Sequence, residues 1–262
     1  MKIPFYKYQG TGNDFVIIDQ FEQSYLSIGD QEIIHRLCDR KFGVGADGLI
    51  LLERSDTHDF KMIYFNADGK EGSLCGNGSR CAVACMHMLG RFEGTGYFEA
   101  SDGPHQATVA ASDYIELKMQ DIQQIERGKG FYILDTGSPH YVTFVEDLSD
   151  IDIVATGRAI RYSNRFQEQG INVNFVEELE DKIEVSTYER GVEDETLSCG
   201  TGVTAAALAH ALKLGDTKGP TKIKTKGGEL RVRFHQDKSA FTDVWLCGPA
   251  TLVFQGNIDS SN

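Results

Sequence analysis

Two cysteines stand where chemistry is easiest to imagine. Cys75 and Cys199 each open the motif Cys-Gly-x-Gly, and each is followed by a segment with helical character. A thiol at a helix N-terminus faces unpaired amides and the positive end of the helix dipole, which favour the thiolate near neutral pH. The same amides cradle an anion, and glycine lets that anion come close. One cradle and one reactive sulfur, supplied twice, suit removal of a proton from one face of a carbon and delivery of another to the opposite face. The inferred reaction is stereoinversion beside a carboxylate.

The duplication extends beyond the cysteines. YFNADGKEGSLCGNG from Tyr64 and YERGVEDETLSCGTG from Tyr188 share the Tyr, a Glu seven residues on (Glu71, Glu195) and the Cys-Gly-x-Gly. At the same spacing Phe42 falls on Phe166, and GLILLE from Gly48 falls on NVNFVE from Asn172. With one slip, TGNDFV from Thr11 falls on TGSPHYV from Thr136. A register held this long indicates an internal repeat. The expected halves are 1–120, with 249–262 returning to it, and 121–248.

Each half must contain elements that place its cysteine. Alternating or β-branched runs predict strands at 15–19, 49–53, 61–65, 97–100, 106–110 and 115–119, and at 141–145, 173–177, 183–188, 222–226, 230–234 and 244–247. Two helices per half fit the remainder: 31–39 capped by Asp30, and 79–89 ending at Gly90; then 150–161, and 203–214 ending at Gly215. VTAAALAHALKL, from Val203, is apolar almost all round and should be buried on most sides. The expected fold is mixed α/β, with two pseudo-symmetric domains that each wrap a sheet around a central helix. Residues 121–130 are the expected crossing between them.

Other polar residues cluster near the two motifs. Arg190 occupies the repeat position of Asn66 and could clamp a carboxylate, while Glu189 could tune a thiol or hold an ammonium. His140 could stabilise a thiolate as an imidazolium. Asn13 and Asn172 lie at strand edges beside turns. Free cysteines are often inert core filler, and Cys38, Cys81, Cys85 and Cys247, each in an apolar stretch, read that way.

The 262 residues carry 26 Lys+Arg against 39 Asp+Glu, a formal charge of -13, which disfavours nucleic-acid or anionic-membrane partners. Hydrophobic content of 40% and charged content of 25% are globular values. No run approaches a membrane span, and the first residues do not read as a signal peptide. Six cysteines without a CxxC fit a reducing cytoplasm better than a disulfide framework or a metal site.

GTGNDFVIID from Gly10, FGVGADGLILLE from Phe42, FNADGKEGSLCGNGSRC from Phe65 and YERGVEDETLSCGTG from Tyr188 closely resemble the diaminopimelate epimerase family, in order and over nearly the whole length. The resemblance implies a cytoplasmic homodimer that interconverts LL- and meso-diaminopimelate for lysine and peptidoglycan synthesis, without cofactor or metal. It implies two β-barrel-like domains, each around a helix. By motif, Cys75 and Cys199 would be the two bases. Gly76, Asn77, Gly200 and Thr201 would hold the reacting carboxylate. Asn13, Asn66, Asn172, Glu189 and Arg190 would bind substrate, with Arg190 on the distal carboxylate. His140 and Glu189 would adjust the thiol pKa values. The chain departs from the family at Gly48, where many members carry glutamine, and at Ser138, where asparagine is common. The alternatives are a proline racemase or hydroxyproline epimerase, a thiol redox protein joining Cys75 to Cys199, and a binding module that kept the cradles without chemistry.

Overall fold

The computed structural model describes residues 2–72, 74–215, 219–238 and 240–259. The chain divides into two compact units, the first running to Leu117 and resuming at Gly248, the second spanning Lys118–Cys247.

In the first unit Lys2–Gly10 pairs antiparallel with both Thr251–Asp259 and Asn13–Asp19. Asn13–Asp19 then pairs parallel with Gly48–Glu53, and that strand pairs antiparallel with Phe60–Asn66. Phe60–Asn66 pairs parallel with Thr95–Ala100, and Gly103–Ala111 and Tyr114–Lys118 follow antiparallel. Helix α1 (Gln31–Cys38) makes the first crossover and helix α2 (Gly76–Met88) the second. Parallel neighbours need such crossovers, whereas the antiparallel ones need only turns.

The second unit repeats that succession. Pro139–Val145 pairs antiparallel with Phe131–Asp135, which pairs with Ile125–Gly128. It pairs parallel with Asn172–Glu178, which pairs antiparallel with Ile183–Glu189. Ile183–Glu189 pairs parallel with Thr221–Thr225, and Gly228–Asp237 and Ala240–Pro249 follow antiparallel. The crossovers are α3 (Ile153–Arg161) and α4 (Gly200–Leu214).

Helices α2 and α4 are the cores of their units. In α2 every residue from Gly76 to Met86 is buried, and the helix touches strands from Thr251–Asp259 through to Gly103–Ala111, so the sheet curls around it. Alanine, glycine and cysteine at this surface let the strands come close on all sides. In α4 the run Val203–Ala209 is wholly buried, as its composition predicts. It ends where Gly215 turns left-handed at φ 71°. No helix among the described residues is long and apolar enough to cross a membrane.

Several elements differ from the sequence expectation. Both central helices begin three residues early, directly after the cysteine, because burial of the first turn outweighs the weak helix propensity of its glycines. Asp30 sits at the start of α1, but its carboxylate accepts from Ser27 N and Oγ instead of from the helix. The expected helix 150–161 is a 3-10 turn, Leu148–Asp150, followed by α3, which Asp152 caps through Ala155 N. Lys2–Gly10, Phe131–Asp135, Asp194–Thr196 and Thr251–Asp259 are strands that the sequence reading left out, and Ile125–Gly128 forms a strand within the expected crossing.

Candidate active site

In the first unit Cys75 is the N-cap of α2, in extended conformation (φ −105°, ψ 115°), and its Sγ accepts from Gly78 N at 3.5 Å. The buried Gly76, Asn77 and Gly78 supply the first-turn amides. A tight turn with positive φ at Thr11 and Gly12 aims Asn13 at this helix end. Asn13 Oδ1 accepts from Cys75 Sγ and from Asn77 Nδ2, each at 3.5 Å. Asn66 lies at the end of its strand, exposed, with its N–H donated to Lys70 O.

Cys199 caps α4 with nearly the same backbone (φ −114°, ψ 114°) but without a side-chain capping bond. Its sulfur instead lies 3.5 Å from Thr201 Oγ1 and contacts the Glu189 carboxylate. Burial raises the Glu189 pKa, and contacts with Thr196 and Cys199 only partly offset that. The two halves therefore hold equivalent sulfurs in unlike surroundings.

His140 corrects the expected imidazolium. It is fully buried, and burial, reinforced by the nearby Arg190 charge, pushes its pKa down to about 3. The ring is neutral at pH 7. Asn174 fixes its tautomer. Asn174 Oδ1 accepts from Thr187 Oγ1 at 2.9 Å, so its Nδ2 is the atom that faces Tyr141 O (3.1 Å) and His140 Nδ1 (3.0 Å). His140 Nδ1 thus accepts, and Nε2–H donates to Thr201 Oγ1 at 2.9 Å. The Thr201 hydroxyl is left to donate its own hydrogen toward Cys199. His140 acts on the sulfur through a hydroxyl dipole instead of a full charge. Gly202 must be glycine here, since a Cβ would lie 2.5 Å from Asn174 Oδ1.

A third group surrounds Arg190. Asn172 Oδ1 accepts from Arg190 N at 2.8 Å, while its Nδ2 donates to Ser138 Oγ (2.8 Å) and Pro139 O (3.2 Å). The exposed guanidinium donates to Gln169 O at 2.8 Å and lies 3.5 Å from Ser138 Oγ. Asn172 is 3% exposed, so it shapes the arginine's loop more than it faces a ligand. Gly48 has no room for a side chain: a Cβ would lie 2.5 Å from both Phe65 O and Tyr64 Cε2.

The structure thus gathers Asn13, Gly76 and Asn77 around Cys75. It gathers His140, Glu189, Gly200 and Thr201 around Cys199, and joins Asn172 to Arg190. Sequence reasoning missed Asn174, although its place two residues after Asn172 puts both on one strand face. It also missed Asp47 and Arg80, which lie inside motifs it quoted. Burial pushes the Cys38 thiol up to about 12, and those of Cys81 and Cys85 higher still.

Comparison with known proteins bears on this arrangement. A family model described as "Diaminopimelate epimerase" matches residues 5–120 and 132–253. The chain is 45% identical to a diaminopimelate epimerase of Flavobacterium psychrophilum, covering 97% of this chain and 99% of that one. It is 39% identical to a diaminopimelate epimerase of Aquifex aeolicus, covering 97% of each. Among solved structures it resembles a PhzF-family phenazine biosynthesis protein of Bacillus anthracis (TM-score 0.77, 15% identity, 99% of each chain). It also resembles a probable proline racemase of Agrobacterium radiobacter (TM-score 0.72, 15% identity, 98% of this chain and 93% of that one). Those two likenesses concern the fold.

Proposed function

The chain belongs to the diaminopimelate epimerase family, and on that premise we propose that Cys75 and Cys199 are the two bases that invert one α-carbon of diaminopimelate. It is an isomerase, and its activity is epimerisation of diaminopimelate in lysine biosynthesis. The observation that supports the two-cysteine reading is the repeated placement of a thiol at the N-cap of a largely buried helix whose first turn is glycine-rich.

In the proposed reaction the thiolate of one cysteine takes the α-proton, and the C–H electron pair stays on carbon and spreads into the carboxylate. The other cysteine's S–H proton goes to the opposite face. The first sulfur ends as a thiol and the second as a thiolate, so the reverse reaction uses the same pair with roles exchanged. The α-proton of an amino acid is a very weak acid, so the developing negative charge needs fixed donors. Amides at Gly76–Asn77 and Gly200–Thr201 are suited to receive that carboxylate. Glu189, next to Cys199, is suited to meet an ammonium or to accept the thiol's proton. Arg190 is suited to the distal carboxylate, with Asn172 holding its backbone, and Asn13 and Asn66 are suited to the remaining polar groups of the substrate.

A substrate with a second charged end explains why an exposed arginine is braced by Asn172, Ser138 and Gln169. Proline has no second carboxylate to meet it. The reading also takes the chain as a cytoplasmic homodimer, as the family resemblance implies. Incubation with LL-diaminopimelate, followed by chiral chromatography, should yield the meso isomer until the two interconvert freely. Conversion of L-proline in the parallel sample, with diaminopimelate untouched, would replace this reading with the racemase alternative.

A further inference from the structure

Whatever fixes the hydrogen bonds of Cys75 decides whether its sulfur rests with or without a proton. Two amides near it are each locked in one orientation by a charged group. Asn13 Nδ2 donates to Asp47 Oδ2 at 2.7 Å. A carboxylate only accepts, so this amide keeps its nitrogen toward Asp47 and its Oδ1 toward α2. At the other end Asn77 Oδ1 accepts from Arg80 Nη2 at 2.9 Å. A guanidinium only donates, so Asn77 is locked in the matching sense and turns its Nδ2 toward Asn13 Oδ1. Arg80 is fully buried and also donates to Gly76 O (3.4 Å) and Thr11 Oγ1 (3.4 Å). The chain Arg80, Asn77, Asn13, Asp47 therefore has one polarity, from a cation to an anion, and offers Cys75 an acceptor.

Cys75 Sγ accepts from Gly78 N and donates to Asn13 Oδ1. A thiol does both at once, while a thiolate can only accept. Asp47 is itself braced, since Arg40 donates to its Oδ1 at 2.7 Å and grips Asp14 at 3.0 and 2.8 Å. Asp47 N donates to Asp14 Oδ1 at 3.0 Å, Asp14 N returns a bond to Asp47 Oδ2 at 3.2 Å, and Lys7 Nζ lies 2.7 Å from Asp14. Burial opposes ionisation of Asp14, but the bonds from Arg40 and Lys7 outweigh it and hold that carboxyl below its usual range. Among the described residues, the charged groups that these bonds join at this end of α2 are Asp14, Asp47, Lys7, Arg40 and Arg80.

We propose that Asp47 is a positioning residue: by fixing the Asn13 amide it makes Cys75 rest as the thiol, its proton donated to Asn13 Oδ1. The kinetic meaning of this rests on Cys75 being one of the two bases, but the resting state itself is measurable without substrate.

The test is the pH dependence of iodoacetamide alkylation at Cys75, read peptide by peptide in a mass spectrometer so that Cys199 is followed in the same sample. Asp47→Asn removes a negative charge and frees Asn13 to turn its nitrogen toward the sulfur. Both changes favour the thiolate, so the Cys75 midpoint should fall by about half a pH unit or more while that of Cys199 stays put. Asp47→Ala, which removes the acceptor without adding a donor, should move it the same way. Asp47 is part-exposed, with 42% of its side chain accessible, so folded variants are expected, and circular dichroism verifies them. A Cys75 midpoint that does not move in either folded variant overturns the proposal, and so does an equal fall at Cys199. Absence of diaminopimelate turnover by the unaltered protein, with the Cys75 midpoint moving as stated, would instead count against the proposed function alone.

Discussion

His140 Nε2 lies 2.9 Å from Thr201 Oγ1, and that oxygen lies 3.5 Å from Cys199 Sγ, so a buried neutral imidazole reaches the sulfur through one hydroxyl. Asn174 and Thr187 set the direction of the relay from inside the unit. The Cys75 sulfur meets an amide oxygen, that of Asn13, at 3.5 Å. The repeat has kept the backbone of its two cysteine caps while letting their partners diverge.

Thr201→Val should expose the worth of that relay. The substitution keeps the backbone amide and the side-chain shape but deletes the hydroxyl. A lost hydrogen bond to a developing charge is worth about 1.5–3 kcal/mol, so kcat for diaminopimelate should fall roughly 10- to 100-fold. Steady-state kinetics should show KM changing much less.

His140 makes the fold sensitive to acid. Its pKa is about 3 in the folded protein against an ordinary 6.5, so between those values the unfolded chain binds a proton that the folded chain does not. Stability from this residue is complete above about pH 6.5 and is lost as pH falls toward 3, by at most ~1.4 kcal/mol per unit. Urea midpoints at several pH values should drop less steeply in His140→Gln than in the unaltered protein. Equal slopes would refute the assignment.

Arg190→Met should weaken substrate binding more than catalysis. The guanidinium is held by the Gln169 carbonyl and Ser138 and stays exposed, as a clamp for a distal carboxylate requires. Loss of a charge-assisted pair predicts a KM raised about 10- to 100-fold. A kcat loss with unchanged KM would place Arg190 elsewhere in the reaction.

Gly48→Gln should destabilise this protein. The new Cβ would lie 2.5 Å from a backbone oxygen and from the Tyr64 ring. Overpacking of this kind costs about 1–3 kcal/mol, readable as a lowered thermal midpoint.

The repeat and the mixed α/β class were legible because the same polar motif had to be written twice, and Cys-Gly-x-Gly tolerates little change. The buried helices were legible in Val203–Leu214, whose alanines leave no polar face. Edge strands were harder. Thr251–Asp259 is mostly exposed and carries no alternating pattern, so its return to the first half was expected but not its form as a strand paired with Lys2–Gly10. The neutrality of His140 was hidden because burial depends on strands far apart in sequence. Asp47 and Arg80 stood in plain view within their motifs, but which amides they grip is decided only when Asn13 and α2 meet.

The two-cysteine mechanism is tested most directly by turnover of LL-diaminopimelate in deuterium oxide, with the α-position of the meso product read by mass spectrometry from the earliest time points. Two bases on opposite faces predict that every newly inverted carbon carries solvent deuterium, and that Cys75→Ala and Cys199→Ala each yield no inverted product while remaining folded. Inverted product that retains its original α-proton, or inversion at an undiminished rate in either variant, would contradict the account.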